Sequence, residues 1–352
     1  MAGGKAEITG AHLVGAINLA SVAEVFEKVP KILGTHIKRL PDGEPGGRRL
    51  WVSYQYPLLR AKTFLEPETE QGGRRTFLPA LRAKDDDPAA MDFGELGYAR
   101  EARASFIEFT EAVAAGVIEE DCKFQVCLPT PLAVTYSFIA RDSLASVEQA
   151  YERAMIAEVA RIAAFIPHDK LAVQWDVCHE MLMWDGRIFG RPENPWNRPF
   201  ENVKEQISAR LLRLAEAVPA DIELGFHLCY GDLDHKHFME PTDAAAMVGL
   251  ANMLSAKVRR PIHWLHMPVP RERTDADYFK PLAELTLDSE TELYLGLVHH
   301  TDGAAGTRAR IEAAQKYVAR FGVATECGMG RRPAGTIEAL LQIHADVSAE
   351  PL

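Results

Sequence analysis

Glu223-Leu224-Gly225-Phe226-His227-Leu228-Cys229-Tyr230-Gly231-Asp232 opens as an alternating apolar run and closes on polar residues. The run reads as a buried strand that delivers a histidine and a cysteine at its C-terminal end. In an extended chain, residues two apart project to the same face. His227 and Cys229 therefore point at one spot, and an imidazole nitrogen and a thiolate sulfur there suit a shared soft metal such as zinc. A bare His-x-Cys also describes a buried histidine beside a buried cysteine, so the rest of the chain decides. It supplies a second cysteine, Cys327, at another strand end.

Outward from that stretch the same unit repeats. Strands are expected at 12–19, 35–40, 123–129, 171–177, from 223 to an end at His227, Cys229 and Asp232, and at 261–267, 292–299 and 322–327. Helical patterns at 22–33, 98–115, 146–165, 203–218, 241–255, 277–285, 305–321 and 335–347 follow them. Short apolar strands alternating with amphipathic helices imply a parallel sheet covered on both faces. Eight such units in 352 residues point to a single α/β domain spanning 1–352, a (β/α)8 TIM barrel. A doubly wound open sheet is the runner-up. Residues from about 57 to 95 are the least regular and read as an insertion or lid. Thr130-Pro131 reads as a stiff turn. The loop from Met181 to Phe200, with Trp184, Phe189 and Trp196, reads as a packed cover or as an apolar wall for substrate.

Composition bounds the partners. A net charge of -11 disfavours nucleic acid and anionic membranes. No apolar run reaches the roughly 18 residues of a membrane span, and the first residues lack an apolar secretion segment. Five cysteines are too few and too scattered for a disulfide framework, which suits reduced thiols in a cytoplasm. No Gly-x-Gly-x-x-Gly follows the first strand and no P-loop appears, so nucleotide binding has no support. A small-molecule substrate is expected. Outward apolar helix surface pairs many barrels, so a homodimer is open.

Chemistry in a barrel sits where strands end, and the polar residues collect there. Asp42, Glu44 and Arg48 follow the second strand, and Asp176, His179 and Glu180 the fourth. His266 ends the sixth, His299 and His300 the seventh, and Glu326, Cys327 and Arg331 the eighth. So many histidines on one rim are hard to explain by packing alone.

These residues carry a resemblance. His227-Leu228-Cys229-Tyr230 is similar to the His-x-Cys-Tyr element of cobalamin-independent methionine synthase. Glu326-Cys327-Gly328-Met329-Gly330-Arg331 resembles its Asp-Cys-Gly-x-x-x-Arg element, and Val173-Gln174-Trp175-Asp176 its Ile-Gln-x-Asp-Glu-Pro strand end. The order and approximate spacing agree from about residue 120 onward, with a vaguer match at Asp42-Gly43-Glu44. The chain thus resembles the catalytic barrel of the methionine synthase and uroporphyrinogen decarboxylase superfamily.

The resemblance implies a zinc ion that binds and ionises a thiol, with a folate or another methyl donor as co-substrate. By motif position His227, Cys229 and Cys327 are ligands. The family's Glu ligand is replaced by His266, which makes a His2Cys2 set, and Val177-Cys178 replaces its Glu-Pro. Asp176, His299 and Glu326 are the catalytic candidates. Asp42, Glu44, Arg48, Trp175, His300 and Arg331 are the candidate substrate contacts.

The leading expectation is a zinc-dependent transferase moving a methyl or alkyl group to or from a thiol. The alternative is a metal-independent lyase or decarboxylase in which Arg48, Arg271 and Arg331 bind carboxylates of a carboxylated or aromatic substrate. A binding protein with a decayed site and a glycoside hydrolase are the lesser readings.

Overall fold

The computed structural model describes residues 7–68, 78–187, 199–233 and 236–348. Among them, eight strands run parallel: β1 (Glu7–His12), β2 (Arg39–Pro41), β3 (Lys123–Pro129), β4 (Leu171–Val177), β5 (Glu223–Leu228), β6 (Trp264–Pro268), β7 (Glu292–Val298) and β8 (Arg320–Thr325). They form one sheet in the order β1-β8-β7-β6-β5-β4-β3-β2. A lone parallel bridge from Ala11 to Ile37 joins the two ends of that row. The architecture is a (β/α)8 barrel.

Local chemistry explains the units. All seven residues of β4 are buried because helices cover one face and the barrel interior the other. Helix Val22–Leu33 starts where the Ser21 hydroxyl accepts the Glu24 N–H, while the Glu24 carboxylate reaches back to Ala20 N. It ends at Gly34, whose φ of 46° suits only a residue without a Cβ.

The interior alternates with the helix side and is polar in part. Arg39 pairs with Glu223 and Glu292 at its N-terminal end. Above them, His12 and the Trp264 indole both donate to the Gln174 amide oxygen, at 2.9 and 3.2 Å. Two glycines make room for large rings here. A Cβ on Gly225 would lie 2.0 Å from the Trp264 ring, and one on Gly322 would lie 2.3 Å from Tyr294.

The structure corrects two expectations. The first strand is Glu7–His12, and 13–19 is a buried loop whose Ile17 makes only a bridge to Met329. Thr130-Pro131 is no isolated turn: Thr130 caps helix Pro131–Phe138, with Pro131 in its first turn. The described part of the inserted 57–95 region packs onto the barrel. Its antiparallel pair Leu65–Pro67 and Leu81–Ala83 bridges to Ile139, and Leu59, Leu81 and Phe93 are buried. Phe189 and Trp196 lie outside the described residues. No described helix is long and apolar enough to cross a membrane.

Candidate metal centre

The sheet register builds the centre. Asp176 of β4 is level with His227 of β5, and His227 with His266 of β6. These side chains therefore form one row around the interior. Cys229 lies one residue past β5, yet its N–H still bonds Val177 O at 2.9 Å, so the extended run carries the thiol to the same side as His227. Cys327 follows β8 in a turn. The Thr325 hydroxyl donates to Cys327 O at 2.7 Å, and Met329 N–H bonds Ala16 O at 2.6 Å. The buried 13–19 loop thus holds that turn over the barrel mouth.

The ligand atoms of His227, Cys229 and Cys327 all lie within 4.8 Å of one another. The two sulfurs are 3.8 Å apart. Sulfurs about 2.3 Å from a tetrahedral zinc sit about 3.8 Å apart, so the pair has the right bite. His227 Nε2 is buried and has no hydrogen-bond partner, which marks it as the third donor. Gly231 N–H donates to the Cys229 sulfur at 3.2 Å, support suited to a thiolate. The donor set fits zinc. With protein neighbours alone both thiols are held well above the usual range. For Cys229 the cause is the Cys178 thiol against it, with burial adding; for Cys327 it is Cys229, then burial. A bound cation would reverse that balance.

His266 is not in the group. Its Nδ1 lies 2.7 Å from His227 Nδ1 and its Nε2 lies 3.0 Å from Thr325 O, so neither nitrogen is free. The expected His2Cys2 set becomes His227, Cys229 and Cys327, with His266 behind His227.

An acidic patch adjoins the centre. Burial pushes Asp176 up to about 7, although the Gln174 amide and the Trp51 indole both donate to it. Burial and the facing Asp176 and Asp42 push Glu44 well above its ordinary range, against the pull of Arg48 and Arg331. Asp42, Glu44 and Arg48 line one cavity with Cys127. Asp42 itself is spent on structure, accepting from Ser105, Arg48 and Glu44 N–H. Arg331 ties the patch to the metal group: it bonds Asp232 O at 2.9 Å, and its charge acts on both Glu44 and Cys327. Trp51 has φ 53°, a strained backbone for a bulky residue, and its indole stacks on His179.

Beyond Cys327, Glu326 pairs with Arg332 at 2.9 Å and faces His299 Nδ1 at 3.8 Å. Burial raises Glu326, while His237 and Arg332 draw it back. His299 is pushed down to about 3 by burial and donates from Nε2 to Val269 O. It is neutral, with its proton on Nε2 and a lone pair at Nδ1 on the side of Glu326.

Two expected contacts fall away from the mouth. Trp175 points into the helix layer and donates to Leu214 O at 3.1 Å, because its neighbours Gln174 and Asp176 take the inward positions. His300 is exposed in the turn after β7. Arg271 is an exposed partner of Glu272. Trp51 and His237 escaped the sequence reading, and Cys178 entered it only as a changed motif position. Cys178 offered the one legible signal, a third cysteine directly after β4.

No protein-family model matches the chain, and no curated relative does. Solved structures do match. A protein described as a vitamin-B12-independent methionine synthase from Listeria monocytogenes superposes with a TM-score of 0.57 at 15% identity, over 98% of this chain and 99% of that one. A B12-independent methionine synthase from Shewanella sp. W3-18-1, solved with selenomethionine, gives 0.60 at 12% identity over 98% and 97%. The fold is methionine-synthase-like. A methyltransferase from Methanosarcina mazei shares it, with a TM-score of 0.52 at 12% identity over 95% and 94%.

Proposed function

We propose that this chain is a zinc-dependent transferase that moves a methyl or alkyl group to or from a thiol other than that of methionine synthase. The convergence of His227, Cys229 and Cys327 carries the reading. The names of the structural neighbours, two methionine synthases and a methyltransferase, support group transfer as the reaction. Zinc held by these three residues would bind the thiol and ionise it at neutral pH.

In the transfer itself the thiol loses its proton, a sulfur–carbon bond forms, and the donor's bond to that carbon breaks. Asp176, which titrates near neutrality, orients the acceptor and takes up or holds a proton. His299 Nδ1 and Glu326 provide a second acceptor pair on the far side of Cys327. Glu44 and Arg331 bind polar groups of the substrate; the methyl donor is a folate or another small molecule. The free cysteines suit a reducing, cytoplasmic setting, and a homodimer belongs to the same proposal.

The lyase reading needs arginines free for carboxylates. Arg48 is engaged by Asp42 and Arg271 by Glu272, which weighs against it. The test is proton release on adding small thiols to the zinc-loaded protein in weak buffer. About one proton per thiol bound is expected at neutral pH. Thiols that bind without releasing a proton, or that do not bind, overturn the proposal.

A further inference from the structure

We infer that His266 is a positioning residue that locks the tautomer of His227, leaving the metal three protein donors and one open corner for substrate. The inference rests on the zinc reading above and deepens it.

The hydrogen bonds around His266 have a fixed direction. Thr325 O is a carbonyl and only accepts, so His266 carries its proton on Nε2, at 3.0 Å from that oxygen. Both rings are buried, and a second proton on either would leave His227 Nε2 a buried N–H with no acceptor, so both are neutral. A neutral ring with its proton on Nε2 has a lone pair on Nδ1. His227 Nδ1, 2.7 Å away, must then be the donor. The proton of His227 is thereby fixed on Nδ1, and the lone pair falls on Nε2, the buried atom with no partner. His227 belongs to the group whose other members are Cys229 and Cys327, and Nε2 is the nitrogen it has left to offer a metal. A chain of two bonds, from a strand β8 carbonyl through a β6 imidazole, thus aims a β5 lone pair at the sulfurs. An outer partner of this kind orients and strengthens a metal-bound imidazole.

Two consequences follow for the site. One neutral imidazole and two thiolates balance the charge of a divalent zinc, so an incoming thiolate makes the centre anionic. Among the described residues no fourth donor joins the group, so a thiol enters without displacing any of them.

The test has two arms. In the metal-free protein with 15N-labelled histidine, His227 should show a protonated Nδ1 and an unprotonated Nε2; the reverse tautomer overturns the inference. This arm needs neither zinc nor a variant, so it stands even if the transferase reading fails. The second arm measures zinc affinity by chelator competition in folded variants. His266→Phe, which cannot accept from His227, should weaken zinc by about 10- to 100-fold. His266→Gln, which can accept at one atom and donate at the other, should recover most of that loss. Unchanged affinity in His266→Phe contradicts the relay. A loss in His266→Gln as complete as in Cys229→Ser would make His266 a ligand instead. Tight zinc binding with the wrong tautomer would leave the transferase proposal intact and remove this one.

Discussion

The sulfurs of Cys229 and Cys327 lie 3.8 Å apart although 98 residues separate them in sequence. Strand β5 delivers one and the turn after β8 the other, so only closure of the barrel across β6 and β7 brings them together. A chance pairing of two cysteines would not also place His227, whose Nε2 is unpartnered, beside them. A metal held by this group would therefore depend on the integrity of the barrel mouth.

Asp176 gives a pH prediction. Burial sets its pKa at about 7, so it is mostly protonated below that pH and mostly ionised above it. Any step that needs the carboxylate should rise through neutrality. Asp176→Asn should lower kcat/KM by about 10-fold or more and flatten that limb of the pH profile. An unchanged profile would place the essential group elsewhere.

Glu180 gives a stability prediction. It is buried, and burial pushes its pKa up to about 7. The folded protein then binds more protons than the unfolded chain between about pH 4.3 and 7, so stability falls as pH rises through that window and the full penalty is present above it. Glu180→Gln should therefore raise Tm at pH 8 and do so far less at pH 5, a difference of about 1–2 kcal/mol. Equal effects at the two pH values would mean the carboxyl is not desolvated.

Gly225 and Trp264 are predicted to be coupled. A methyl at Gly225 meets the indole at 2.0 Å, so Gly225→Ala should cost about 3 kcal/mol or more. Shrinking the ring in the double variant Gly225→Ala/Trp264→Ala should recover part of that loss. Denaturant unfolding of the four-member cycle measures it; simple additivity would show that the ring yields freely.

Trp175 separates structure from recognition. Its indole serves the helix layer, so Trp175→Phe should cost about 1 kcal/mol through the lost bond to Leu214 O. Thiol affinity, read by calorimetry, should not change. A selective loss of thiol binding would return Trp175 to the site.

Much of this was legible in the chain, for physical reasons that differ by element. Strand β4 is doubly covered, so its apolar run announced both its bounds and its parallel neighbours. The 13–19 stretch is as apolar, but it is buried as loop against the Cys327 turn, and hydrophobicity does not distinguish the two. Pro131 reads equally as a turn and as the first turn of a helix, and Thr130 capping decides it. The metal set was legible as residue types at strand ends. The role of His266 was not, because it depends on which atoms its two nitrogens meet. Alternation along β4 already puts Trp175 outside if Asp176 is inside. Nothing in the sequence around Trp51 reveals its left-handed backbone.

Zinc stoichiometry in the purified protein tests the central claim most directly. The account predicts about one zinc per chain in the wild type and little or none in Cys229→Ser and Cys327→Ser, with folding retained. A metal-free protein that transfers alkyl groups at full rate, or cysteine variants that keep their zinc, would contradict it.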